Sequence, residues 1–121
     1  MKKFAIIMLI LLMMLPLAVH GDEPLAGGWT PAEDYTVTEE RQAIFDKGVE
    51  ALLGVNYVPV AYLGSQVVAG TNHVFLCQAT VVYPDAQPTY VLIYLYEDLH
   101  GQVTLLNVAD LDIGAFCTYG A

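Results

Sequence analysis

Positive charge is scarce in this chain: four Lys/Arg stand against thirteen Asp/Glu among 121 residues, a formal charge of −9. Binding to nucleic acid is driven by neutralising phosphates with clustered Lys and Arg, so general nucleic-acid binding is excluded. Cysteine is scarce too, at two residues, and tryptophan is limited to one. Cys77 and Cys117 are forty residues apart with only His73 near either, so no four-ligand metal site is visible and no metal or cofactor is expected. The longest unbroken apolar run, Phe4 to Leu15, has twelve residues against the roughly twenty that a membrane-spanning helix needs, and an uncleaved anchor is its alternative reading. Charged residues are only 14% and hydrophobic residues 56%, which is too apolar for a disordered chain. The length suits one domain.

The N-terminus reads as an address. Lys2 and Lys3 precede twelve apolar residues, Phe4 to Leu15, and then Pro16. A basic start, a short apolar run and a small-residue exit through Val19-His20-Gly21 fit a secretory signal peptide over residues 1–21. The chain is then expected to be secreted or periplasmic, with no stable membrane association after cleavage. Residues 22–121 form the expected single domain, with two basic residues, Arg41 and Lys47, and a charge of −11. Two cysteines in an exported chain permit one disulfide, Cys77 to Cys117.

Residues 22–35 hold Pro24, Gly27, Gly28 and Pro31 and read as an extended arm. Thr36-Val37-Thr38-Glu39 fits a capping box, and Phe45, Val49, Leu52 and Leu53 share one helical face before Gly54. A helix is expected at about 37–53. The period then changes to two. Strand-like runs cover 57–68, 72–83, 89–96 and 102–108, with breaks at Pro84 to Pro88 and at Glu97 to Gly101. Short breaks make successive strands antiparallel neighbours, so an α+β fold with one helix on a meander follows. If His73 faces the helix, parity on the second strand puts Phe75, Cys77, Ala79 and Val81 there too, and Val74, Leu76, Gln78 and Thr80 outward. The outward apolar pair calls for a cover, for which the C-terminal Ile113 and Phe116 are candidates. That arrangement turns Cys77 away from the tail and weakens the disulfide reading.

The segment Ser65-Gln66-Val67-Val68-Ala69-Gly70-Thr71-Asn72 admits two readings. It is ordinary strand, or it is a hairpin whose tip carries Val-Val-Ala where turns usually use Asn, Asp or Gly. A rigid hairpin with an apolar tip is a surface built to enter a cleft.

Gln66-Val67-Val68-Ala69-Gly70 resembles the QVVAG hairpin of the cystatins, and its flanks resemble the stefin branch. Gly27-Gly28 stands where stefins carry their N-terminal glycine. Ala43 to Lys47 is similar to the stefin helix segment, and Leu99-His100-Gly101-Gln102 to the second binding loop. The resemblance implies one long helix packed on a curved four- to five-stranded antiparallel sheet. It also implies reversible competitive inhibition of papain-like cysteine proteases, without catalysis. The implied wedge is the arm at Gly27 and Gly28, the first hairpin Gln66, Val67, Val68, Ala69 and Gly70, and the second loop Leu99, His100 and Gly101. Leu25 and Ala26 would enter apolar protease pockets. His100 stands where stefins have Pro, which implies a looser loop and a weak pH dependence. A signal peptide and cysteines also depart from the stefin pattern. The hairpin invites strand exchange into a domain-swapped dimer. Two other readings stand beside inhibition: an exported cystatin-fold module that binds a peptide or another ligand without inhibiting, and an enzyme using Asp98, His100 and His73.

Overall fold

The computed structural model describes residues 28–118. The expected signal peptide and cleavage site, together with Leu25, Ala26 and Gly27, lie outside the described residues. The described chain runs β1 (Trp29–Pro31), α1 (Glu39–Val49), β2 (Val55–Val68), β3 (Gly70–Val81), β4 (Thr89–Glu97), β5 (Val103–Asp110) and α2 (Ile113–Phe116). The five strands form one antiparallel sheet in the order β1-β2-β3-β4-β5, with α1 against one face. The α+β meander read from the sequence is therefore present, with strand limits displaced by at most two residues. β1 is an addition. Two apolar residues and a threonine are too short for a periodicity signal, and β1 exists because Trp29, Thr30 and Pro31 pair with Gln66, Ser65 and Gly64.

The helix is shorter than the expected 37–53. Thr38, not Thr36, is its N-cap, and the Thr38 hydroxyl accepts the Arg41 N–H at 3.3 Å. Arg41 occupies the position where a capping box needs Glu or Gln, so the reciprocal half of that motif is missing. Thr36 is held instead in a local turn by Asp34, whose carboxylate accepts the Thr36 N–H at 2.8 Å. The Thr36 side chain, and after it the Thr36 N–H, hold the Asp34 carboxyl below the usual carboxylate range by hydrogen bonding to it. At the other end the chain leaves the helix at Glu50 and turns through Gly54 at φ +87°. Leu53 falls beyond the last turn and is 90% exposed, so it does not belong to the buried face.

Phe45 anchors α1. Its ring meets Phe75 edge-on at 5.2 Å, and Phe75 meets Tyr62 edge-on at 5.1 Å. The Arg41 guanidinium closes the stack 4.0 Å from the Tyr62 ring centroid. The same guanidinium donates to the carbonyls of Asp34 and Thr36 at 2.6 and 2.7 Å, so it ties the segment before the helix to the sheet. Gly48 lets the helix approach β4, since a Cβ there would lie 2.5 Å from a Leu95 methyl carbon. Cys77, Ala79, Val91, Ile93 and Leu95 complete the core.

Parity on β3 holds for His73, Phe75, Cys77 and Ala79, all buried toward α1, while Val81 is exposed at the strand end. Cys77 is a buried free thiol and Cys117 an exposed free thiol, so the Cys77–Cys117 disulfide is not formed. The sheet lies between Cys77 and the face that the tail was expected to cover. Nor does the tail cover that face: Ile113 is exposed, and Phe116 is 65% exposed. The four-residue α2 has no buried residue.

The outward face is ordered in rows by the strand register. Gln66, Asn72, Tyr96 and Thr104 form one row, extended by Trp29 on β1. Gly64, Val74, Tyr94 and Asn107 form the next, and Ala61, Leu76, Leu92 and Ala109 the third. Val58, Gln78 and Tyr90 follow, and then Asn56 and Thr80. Trp29 packs edge-on to Tyr94 at 5.8 Å, and a groove of about 260 Å³ lies between Trp29, Leu63, Gly64, Val74 and Tyr94.

Candidate functional site at one end of the sheet

Val68 pairs with Gly70, so the chain reverses within Val68-Ala69-Gly70 and the hairpin reading of this segment is the correct one. The turn needs Gly70 for two reasons. Its φ is +109°, where a side chain is strained, and a Cβ there would collide with the Glu97 carbonyl oxygen and crowd the Tyr96 ring. Val67 is 61% exposed, and Val68 and Ala69 are exposed beside it. Behind the tip the Asn72 amide donates to the Gln66 side-chain oxygen at 2.8 Å, fixing the first residue of the hairpin motif from across the ladder.

The other two segments reach the same end through register. Trp29 pairs with Gln66, which brings Gly28 alongside the hairpin. Gly28 is exposed. Thr71 pairs with Glu97 and Glu97 with Val103, so the loop of residues 98–102 emerges beside the hairpin on its other flank. Leu99 stands 80% exposed, His100 is exposed, and Gly101 takes φ +82° to close the turn. Gly28, residues 66–70 and residues 99–101 thus occupy one end of the sheet, in strand order.

This end is braced rather than loose. The Tyr96 hydroxyl donates to the Ala69 carbonyl, linking β4 to the apex of the first hairpin. One Asp98 carboxylate oxygen accepts the His100 N–H at 2.8 Å and the Gln102 N–H at 2.9 Å. The Gln102 bond does most to hold the Asp98 carboxyl below its ordinary range. The Lys47 ammonium, from the last turn of α1, lies 3.4 Å from the Gly101 carbonyl. Asp98 and Lys47 therefore order the second loop without a proline.

The three residues considered for acid–base chemistry are differently placed. Asp98 meets the backbone of His100 and not its ring. His73 is buried beneath the hairpin. Its Nδ1 lies 2.5 Å from the Tyr62 hydroxyl and its Nε2 lies 3.0 Å from a Glu97 carboxylate oxygen. With a proton on Nε2, the ring donates to Glu97 and accepts from Tyr62, so every polar atom is satisfied. Burial pushes the Tyr62 phenol up, which keeps it protonated as that donor. Burial likewise pushes the Cys77 thiol up to about 12, so it is a poor nucleophile. Among the described residues no group of three His, Cys, Asp or Glu is placed to hold a metal ion, and no helix is long and apolar enough to cross a membrane.

Sequence reading missed Tyr96, Lys47 and the Gly70–Glu97 approach. The strand-like run 89–96 includes Tyr96, but only the register between β3 and β4 brings its hydroxyl to Ala69. Comparison with protein-family models, curated proteins and solved structures gives no match to this chain.

Proposed function

We propose that this protein is an exported, stefin-like member of the cystatin superfamily that reversibly and competitively inhibits papain-like cysteine proteases. The observation that carries the reading is the convergence of Gly28, the Gln66–Gly70 hairpin and the Leu99–Gly101 loop on one end of the sheet, with apolar side chains exposed at both loops. The three segments are far apart in sequence, and their QVVAG and Leu-containing motifs are those of a cleft-filling wedge. The short helix α1 takes the place of the long helix of that fold. Export rests on the basic, then apolar, N-terminal segment.

The wedge acts by occupation. Val67, Val68 and Ala69 lose water-exposed apolar surface on entering a groove, at about 25 cal/mol per Å². The bracing by Tyr96, Asp98 and Lys47 means that little loop entropy is lost on association. Gly28 lets the arm lie close to the protease backbone, and the residues before it extend the contact. The hairpin offers side chains rather than a strained peptide bond to the catalytic thiol, so no covalent step is required.

The test pairs a substitution with a truncation. Val68→Asp places a carboxylate at the apolar tip and is expected to weaken inhibition of papain at least about tenfold, about 1.4 kcal/mol. Circular dichroism should stay unchanged, because Val68 is exposed. Deleting residues 22–28 should chiefly raise the off-rate. Inhibition that is indifferent to both changes would refute the wedge.

A further inference from the structure

The sheet face turned away from α1 differs in kind from the rest of this acidic surface. Thirteen carboxylates and four basic side chains are spread along the chain, yet no outward position of the five strands carries one. The two middle rows are apolar apart from Asn107, and the rows around them end in neutral amides and hydroxyls. A solvated face of an antiparallel sheet ordinarily carries polar and charged residues. An apolar centre flanked by aromatic rings, here Trp29, Tyr94, Tyr96 and Tyr90, among uncharged amides and hydroxyls is instead the anatomy of a protein interface.

We propose that this face is the contact between two copies of the chain, packed sheet against sheet about a two-fold axis. Charge selects the occupant. Two copies of a chain at −9 repel wherever their carboxylates approach, and this face is where they meet without bringing like charges together. Shape agrees. An axis running across the strands at the level of Ala61, Leu76 and Leu92 superposes β2 of one copy on β2 of the other in reversed direction. Val58, 55% exposed, then lies over the recess above Gly64 in the other copy, and the reciprocal contact forms by symmetry. The rows span about 27 Å along the strands and about 19 Å across them, on the order of 500 Å² per copy in flat projection. Two such faces reach the roughly 1,000 Å² of a specific interface. The copies run in opposite directions, so the loop ends of both remain open. The contact is independent of the proposed inhibition.

Sedimentation and light scattering on the purified protein, from about 1 to about 500 μM, test this directly. The mass should rise from one chain to two. The emission of Trp29, the only tryptophan, should shift to the blue in parallel as the groove is covered. Val58→Asp, at an exposed position, should raise the dimer dissociation constant at least about tenfold with an unchanged melting temperature. A single-chain mass at every concentration would overturn the proposal, whether the groove is then filled by the segment before Gly28, by another ligand or by nothing. A dimer indifferent to Val58→Asp would also overturn it, since that is the behaviour of exchanged hairpins.

Discussion

Single side chains decide this molecule at two places, the Phe45 stack and the braced tip. Phe45→Ala removes the ring that joins α1 to Phe75 and leaves a core cavity, so it should cost about 3–5 kcal/mol in chemical denaturation. A loss below about 1 kcal/mol would mean that the helix is not held by this contact. Tyr96→Phe removes one hydroxyl and leaves the ring. Its effect should fall on protease affinity through a looser Ala69, with little change in melting temperature. The thiols separate as well. At pH 8 the native protein should react with one equivalent of a thiol reagent, at exposed Cys117, while Cys77 reacts only on unfolding. Two fast equivalents would contradict the buried Cys77. Asp98 supplies a pH prediction. Its carboxyl is held below the ordinary value by the Gln102 and His100 N–H groups, so the order that it lends the second loop is complete above about pH 3.9. That order is lost as pH falls through the lowered native value. The amide shifts of His100 and Gln102 should titrate with a midpoint below 3.9, and a midpoint at or above it would show that the bonds do not persist in solution.

Elements were legible in proportion to how far local pattern determines them. Alternation along β2 to β5 is strong because one face of each strand is buried against α1, so those strands and the facing of His73, Phe75, Cys77 and Ala79 follow from the sequence. Gly54 reads as the stop of a helix reaching residue 53, but α1 ends at Val49, and the capping-box pattern misplaces its start as well. Thr36 and Thr38 both precede an acidic first turn, and the competition was decided by Asp34 capturing Thr36 and by Arg41 reaching back to the arm. Helix propensity could not show that Leu53 stays in water. β1 was invisible because a three-residue edge strand exists only through its partner. The candidate site was half legible: the residues of each loop could be named, but their convergence depends on the pairings Trp29–Gln66 and Thr71–Glu97. At this scale, Thr38→Ala should lower stability by about 1 kcal/mol through loss of the N-cap, measured by urea unfolding. No change would show that the Thr38 hydroxyl does not hold the helix start.

The whole molecule divides its labour by surface. One sheet face holds α1 and the core, one end presents the Gly28 arm beside two loops with exposed apolar side chains, and the strand positions of the opposite sheet face are free of charge in a strongly acidic chain. Some of the apolar residues left in water, among them Trp29, Val58, Val67, Val68 and Leu99, lie where contact with another protein is proposed, while others, such as Tyr35, Leu53, Tyr83 and Phe116, lie outside those surfaces. The disulfide that the sequence permits is not formed and the tail suggested as a cover leaves Ile113 and Phe116 exposed, so the sheet and aromatic core hold the domain without them. The most direct measurement of the central proposal is titration of active-site-calibrated papain with the purified protein, read on a small peptide substrate. The account predicts competitive loss of activity approaching one inhibitor per enzyme, restored on dilution. Papain that keeps full activity in the presence of micromolar protein would contradict it.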